Sequence, residues 1–497
     1  MRYRIAVASA VAVLGLGAVG TISGPDWDPV PFTETIAVAT TDTAIGGSAG
    51  TDPVGTYDVA TSIVQVDLAG TTIEARISEP VGAEGPRPGL VFVHGAGTGR
   101  YEIAFVAQAE ALASAGVVTM VPNKRLDTYS TRDRSYVAMA NDYLRSVELL
   151  RRLPGVDPDR VGVYGESEGA WIVPVMAADN PSVAFTVLVA APVVPPRQQA
   201  AFAVDSYLRN TGVPVEVLTA IPRIVGMEFP GGGFEYVDFD ARPFQQRMRQ
   251  PMLAVYGTGD AAMPTIQGAE QLIADLAVAG NDDVTVRYYD GADHGIKIDH
   301  VLVPDFARDL AAWIQGLPAS ADAEPSIAGA EPYQRFRAGP VDRPRWFAEG
   351  DLLLAAVVAG WGALLVVPVI AVVRRLRGRR QRSLAEGVRA PLVVMASGAA
   401  LAFVGLAGYL LTVAYLAQNY RRNDVFVQGG WLVIRVLAIA AAVAAVVLLS
   451  RILDGRRRGV APAARDRAGA WYLASAFGGS STILVLLAYF GVFPALL

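Results

Sequence analysis

Hydrophobic positions recur along this chain in three different patterns. Near the N-terminus a 16-residue apolar run, Ile5–Gly20, follows Met1–Arg4, which carries two arginines. From Tyr57 to Leu317, apolar runs of strand length alternate with longer stretches of helical period. Beyond Pro344 come four long runs, Leu352–Val373, Leu392–Ala417, Trp431–Ser450 and Trp471–Phe493, of 22, 26, 20 and 23 residues. Each is long enough to cross a hydrocarbon core of about 30 Å as a helix.

The middle region reads in order. Ile63–Leu68 and Thr72–Ser78 alternate about Ala69-Gly70-Thr71, a hairpin pattern. Gly89–Val93, Val117–Pro122, Val161–Tyr164, Thr186–Ala191, Met252–Tyr256 and Val284–Tyr289 are short apolar runs of the kind that forms buried strands. Between and after them, Ile103–Ser114, Arg132–Leu153, Pro264–Ala279 and Val303–Leu317 carry helical period. Residues 197–249 interrupt the alternation and predict an inserted cap. Strands alternating with helices imply an α/β fold, a mainly parallel sheet covered on both faces.

These patterns divide the chain. Residues 1–22 read as a signal peptide, with Ala18-x-Gly20 as a cleavage site, or as an uncleaved signal anchor. Residues 23–56, rich in Thr, Gly, Asp and Pro, predict an irregular extracytoplasmic segment. Residues 57–317 form the α/β domain, 318–346 a Pro- and Ala-rich linker, and 347–497 four transmembrane helices.

Charge refines this picture. The net charge of −5 conceals an asymmetry: residues 1–317 hold 22 basic and 37 acidic side chains, and residues 318–497 hold 20 arginines and 10 acids. The arginines lie between the apolar spans, so membrane topology explains them better than nucleic acid does, and no nucleic-acid partner is expected. Loops 374–391 and 451–470 are Arg-rich, whereas the middle loop has only Arg421 and Arg422. The positive-inside rule puts the two Arg-rich loops in the cytoplasm and the segment before Leu352 outside. The N-terminal export signal places the α/β domain on that same side. Arg435, about one turn into the third span, is expected to snorkel to the outer interface. Gly398/Ala402 and Ser475/Gly479 are small-residue pairs that would let helices approach closely. The chain has no Cys, which removes a disulfide framework, a thiolate nucleophile and Cys-ligated zinc.

The candidate chemistry sits at Gly165-Glu166-Ser167-Glu168-Gly169. A G-x-S-x-G between a strand and a helix makes a nucleophile elbow, a tight turn that lifts the serine hydroxyl above a helix N-terminus. Gly46-Gly47-Ser48-Ala49-Gly50 also matches the pattern, but no strand precedes it and no helix follows it. Ser167 is therefore the expected nucleophile. A serine nucleophile needs a base that holds a proton near neutral pH. Of the three histidines, His94, His294 and His300, His294 sits just after the last strand, in Asp290-Gly291-Ala292-Asp293-His294-Gly295, and is the expected base, whereas His300 lies near the start of the closing helix. Asp260, after strand Met252–Tyr256, is the expected orienting acid, with Asp290 and Asp293 in reserve. The oxyanion donors are assigned to the backbone N–H of Glu168 and of Ala96 or its neighbour Gly95, in His94-Gly95-Ala96-Gly97. The His94 imidazole is expected to be structural, and no chemistry is assigned to the Glu166 and Glu168 side chains.

Residues 57–317 resemble an α/β-hydrolase of the dienelactone-hydrolase, acyl-thioesterase and serine-aminopeptidase-like type. VFVHGAG, GVYGESEGA, VYGTGDAAMP and GADHG carry the resemblance, in the chain order Ser167, Asp260, His294. Related sequences often have Asp-Lys-Arg-Gly-x-Gly-x-Ser after the second parallel strand. Here the run is Asn123-Lys124-Arg125-Leu126-Asp127-Thr128-Tyr129-Ser130, without the acid and both glycines. The resemblance implies an acyl hydrolase, most simply a carboxylic esterase, with no cofactor or metal. Its partners would be a small or lipid-like acyl substrate and the surrounding membrane lipids. A peptidase or an acyltransferase would use the same residues. A membrane transport or assembly component with a binding-only hydrolase domain is the alternative of a different class.

Overall fold

The structure is a computed structural model that describes residues 2–46, 51–130, 134–232, 236–378, 384–459 and 463–494. The second G-x-S-x-G, with Ser48, lies outside the described residues. The chain folds as two compact units, one of residues 29–203 and 235–340, the other of residues 1–28, 204–234 and 341–497.

In chain order, a helix α1 (Arg2–Ser23) precedes strands β1 (Val59–Leu68), β2 (Thr71–Pro80) and β3 (Arg87–Val93). Next come α2 (Val106–Ser114), β4 (Val118–Pro122), α3 (Tyr136–Leu150), β5 (Val156–Glu166), α4 (Gly169–Ala177) and β6 (Thr186–Val189). The insertion supplies α5 (Pro196–Thr211), α6 (Val215–Leu218), α7 (Ala220–Val225) and α8 (Arg242–Gln245). Then follow β7 (Met252–Gly257), α9 (Thr265–Val278), β8 (Val284–Tyr289), a short hairpin β9 (Lys297–Ile298) and β10 (Val301–Leu302), α10 (Pro304–Gly316) and β11 (Ile327–Gly329). Four long helices end the chain: α11 (Gly350–Leu376), α12 (Arg389–Gln418), α13 (Asp424–Arg457) and α14 (Arg467–Tyr489).

In the first unit nine strands form one sheet in the order β1-β2-β4-β3-β5-β6-β7-β8-β11. The β1–β2 hairpin closes at Leu68 opposite Thr71, and β2 pairs antiparallel with β4. All other neighbours are parallel. Strands β4, β6, β7 and β8 are buried at every position, as parallel strands covered on both faces must be. The main apolar core takes Val91, Val93, Val163 and Leu188 from the sheet and Val147, Ile172, Met176 and Leu272 from α3, α4 and α9. Trp313 of α10 is buried and meets the Phe185 ring edge-on.

The stretch 318–346, read as a linker, is held to this sheet over much of its length. Its β11 extends the sheet beside β8 because Arg287, buried at the centre of β8, draws the flanking backbone in. The guanidinium donates to the carbonyls of Thr43, Pro325 and Ser326 and so fastens the segment before β1 as well. Gln334 accepts from the N–H groups of Ile266 and Gln267, at the start of α9. The Pro- and Ala-rich composition of this stretch gave no sign of these backbone partners.

In the second unit, α1, α11, α12, α13 and α14 are each long and apolar enough to cross a membrane. The first three C-terminal helices cover their expected runs, the fourth ends at Tyr489, four residues short of the expected Phe493, and α1 is a fifth. Small residues let them close up. A Cβ on Gly398 would lie 3.1 Å from Ala441 Cβ, and one on Gly479 would lie 2.7 Å from the Gly360 carbonyl. At one end Arg374 pairs with Asp466 and Leu384 bridges Ala464, beside the Arg-rich loops. At the other end sit residues 204–232 of the insertion. Gln428 donates to the Gly212 carbonyl, and Arg435 pairs with Glu216 at 3.1 Å. Arg435 therefore meets a carboxylate of the insertion, a partner that sequence alone could not locate 219 residues away.

Candidate active site

The elbow forms where β5 gives way to α4. Ser167 takes φ +57°, the left-handed region that non-glycine residues enter only when their surroundings force it. The flanking glycines explain the force. A Cβ on Gly165 would come within 2.6 Å of the Gly169 carbonyl oxygen, and one on Gly169 within 2.4 Å of the Val93 carbonyl oxygen. Helix and neighbouring strand thus press on the turn from both sides and leave the serine at the C-terminal end of β5.

Two further loops leave the same sheet edge, after β7 and β8. They are zipped together: Gly259 N–H donates to the Ala292 carbonyl, and Gly291 N–H to Thr258 Oγ1 at 2.8 Å. This juxtaposition brings Asp260 to His294. His294 Nδ1–H donates to Asp260 Oδ2 at 2.8 Å, while Asp260 Oδ1 accepts the Ala262 N–H at 2.8 Å. The Asp260 carboxylate is fully buried, and the His294 side chain keeps 31% of its surface accessible. An acceptor-only carboxylate on Nδ1 fixes the tautomer that leaves Nε2 free to take a proton. Burial lowers the His294 pKa, but the charges of Asp260, Glu166 and Asp293 outweigh it and raise the value to about 9.

The other expected residues divide as follows. Gly95 lies against Ser167: a Cβ built on it would sit 3.1 Å from Ser167 Cβ and 3.7 Å from Oγ. Ala96 follows it in the same loop, and Glu168 follows Ser167 as the residue before α4. His94 is fully buried, with Nε2–H donating to the Pro122 carbonyl at 2.7 Å. Burial holds its pKa down at about 4, so it is a neutral structural imidazole. The reserve acids are occupied elsewhere, since Asp293 Oδ1 accepts the Gly295 and Lys297 N–H groups and Asp290 accepts from Thr258 Oγ1. His300 is exposed in the β9–β10 turn. Among the described residues no three acids or histidines converge as a metal site would need.

The residue that sequence reasoning passed over is the Glu168 side chain. Only 2% of it is exposed, and it receives Lys124 Nζ at 2.7 Å, Tyr129 OH at 3.0 Å, Tyr136 OH at 3.3 Å and Arg134 Nη1 at 3.3 Å. Lys124, equally buried, also donates to the Gly95 carbonyl at 2.9 Å and sits 4.1 Å from the Tyr129 ring centroid. Burial and the Glu168 charge raise both tyrosine pKa values, so both phenols stay protonated donors. Removing one partner of such a buried pair costs about 3–5 kcal/mol. A usable signal was present: a carboxylate two residues before a buried apolar run, Ala170–Val173, must find a cation.

The family described as BAAT / Acyl-CoA thioester hydrolase C terminal matches residues 143–306, which run from α3 through the elbow, Asp260 and His294 into α10. The first unit has the α/β-hydrolase fold. Its sheet order, left-handed elbow serine and this family match agree. Similar solved structures include a dienelactone hydrolase from Anabaena variabilis, 18% identical, covering 51% of this chain and 95% of that one, with a TM-score of 0.36. Fungal esterases from Rhizomucor miehei are 18% identical over 54% of this chain and 86% of theirs, with a TM-score of 0.38. The acylaminoacyl peptidase of Pyrococcus horikoshii is 15% identical over 52% of this chain, spans 40% matched of its own length, and has a TM-score of 0.36. A comparison with curated proteins finds no match to this sequence.

Proposed function

We propose that this chain is a membrane-bound serine hydrolase that cleaves an acyl bond, a carboxylic ester first, on the extracytoplasmic face. Ser167 Oγ attacks the carbonyl carbon and passes its proton to His294 Nε2. Asp260 holds the imidazole and balances its charge. The oxyanion lies before the N–H of Glu168 and of Ala96. His294 then protonates the leaving alcohol, and water, deprotonated by the same imidazole, releases the acid and restores Ser167. The observation that carries this reading is the 2.8 Å His294–Asp260 contact at the sheet edge where Ser167 is held at φ +57°.

The matched family's description favours a second substrate class, an acyl thioester. The extracytoplasmic position argues against coenzyme A, an intracellular carrier. Purified full-length protein in detergent, assayed with p-nitrophenyl butyrate, butyryl-coenzyme A and alanine p-nitroanilide, separates these readings. The ester is expected to show the highest kcat/KM. A leading thioester or anilide would reassign the substrate class, and no turnover of any would support the binding-only alternative.

The second unit supports one membrane topology. Positive-inside charge places loops 374–391 and 451–470 in the cytoplasm, and so residues 204–232, at the opposite end of the bundle, outside. In this reading α1 is a retained anchor rather than a cleaved peptide. Cβ atoms on Gly17 and Gly20 would meet the Pro494 and Ala488 carbonyl oxygens at 2.1 and 2.2 Å, a packing that the glycines alone permit. Arg223 of α7 donates both to the Pro25 carbonyl, just past α1, and to the Tyr489 carbonyl that ends α14. The two helices thus finish at one end, as an inward N-terminus and an outward C-terminus require. Intact mass of protein purified from membranes through a C-terminal tag is expected to include residues 2–20. A mature chain starting after Gly20 would refute retention.

A further inference from the structure

We infer that Lys124 is a positioning residue for the oxyanion hole, tying its two halves together through one ammonium group. This rests on the reading of Ser167 as nucleophile. The two candidate donors belong to different loops, the Ala96 N–H after β3 and the Glu168 N–H after β5. The β3–β5 pairing sets Val93 opposite Gly165, but it ends before the Gly95–Ala96 peptide.

Lys124 Nζ bridges them. One N–H goes to the Gly95 carbonyl at 2.9 Å, and another to Glu168 Oε2 at 2.7 Å. The Tyr129 ring, 4.1 Å away, takes the remaining face of the ammonium. The Gly95 carbonyl and the Ala96 N–H belong to the same peptide plane and point in opposite directions when the peptide is trans. Anchoring that carbonyl from behind therefore fixes where the N–H aims. It also polarises the peptide, which makes the N–H a stronger donor. On the other side, the Glu168 side chain is clamped by Lys124, Arg134, Tyr129 and Tyr136, so its own backbone cannot swing away. Two cations around one carboxylate leave the cluster with a net positive charge behind the site where the oxyanion develops.

A purely structural role makes a different prediction from a positioning one. If the pair only neutralises itself, replacing both members with neutral residues restores function. If Lys124 aims the Ala96 N–H, the double replacement stays slow, because the Gly95 carbonyl has lost its anchor. The test uses full-length protein in detergent with p-nitrophenyl butyrate. Lys124→Met/Glu168→Gln, which removes the fully buried ion pair and leaves only the part-exposed Arg134 without its carboxylate, is compared with wild type and with Lys124→Arg. The inference expects kcat of the double variant to fall about 10²-fold with KM changed less than threefold, at an unchanged melting temperature. Lys124→Arg, which keeps a multi-donor cation at this position, is expected to recover at least a tenth of wild-type kcat. A folded double variant with wild-type kcat overturns the inference and leaves the hydrolase reading standing. Wild-type protein without Ser167-dependent turnover overturns both.

Discussion

Replacement of Ser167 by Ala is expected to lower kcat for p-nitrophenyl butyrate by about 10⁵-fold or more, while KM and the melting temperature stay close to wild type. The size follows from the chemistry. Without the hydroxyl there is no acyl-enzyme, and water must attack the carbonyl directly. The oxyanion donors and the binding surface remain, so a small rate above the uncatalysed reaction persists. Stability should be preserved because the left-handed backbone is imposed by Gly165 and Gly169 and not by the hydroxyl. A Ser167→Ala variant with wild-type turnover would remove the elbow from the mechanism. Steady-state kinetics beside thermal melts of both proteins decides it.

The second large effect belongs to Asp260. Asp260→Asn is expected to reduce kcat/KM about 10⁴-fold at neutral pH, because an amide can donate to Nδ1 and so favour the wrong imidazole tautomer. It is also expected to move the pH profile, and the sign can be stated. The His294 pKa is raised to about 9, with Asp260 the leading charge that raises it. A general base works only when neutral, so wild-type kcat/KM should climb with pH and level off above about 9. Loss of the Asp260 charge lowers that pKa, so the variant's residual activity should reach its plateau at lower pH. Profiles of kcat/KM between pH 5 and 10 for the two proteins test this. A shift to higher pH in the variant would contradict the assigned roles.

Much of this account could be read from the residues. The elbow was legible because two glycines at fixed spacing sit between an apolar strand and an apolar helix, and the structure shows the backbone contacts that require them. The pairing of Asp260 with His294 was legible because both follow parallel strands and so reach the same edge. What stayed hidden depends on contacts between residues far apart in sequence. Lys124 and Glu168 are 44 residues apart, and their pairing appears only once β4 and β5 bring their loop ends together around β3. Residues 318–346 carry no strand pattern, yet β11 forms where Arg287 of β8 holds the Pro325 and Ser326 carbonyls just before it. Likewise the short helices 215–225, expected as part of a cap on the hydrolase, cluster with the long apolar helices through Glu216 and Arg223. Periodicity reports which face of an element is apolar, but not which surface will cover it.

The central claim is that Ser167 is an activated nucleophile, and a fluorophosphonate probe reads this directly. Full-length wild type, Ser167→Ala and Ser48→Ala proteins in detergent would be labelled, digested and mapped by mass spectrometry. The account predicts one adduct, on the peptide bearing Ser167, present in wild type and Ser48→Ala and absent in Ser167→Ala. A folded wild-type protein that takes no label, or an adduct that survives Ser167→Ala, would contradict it.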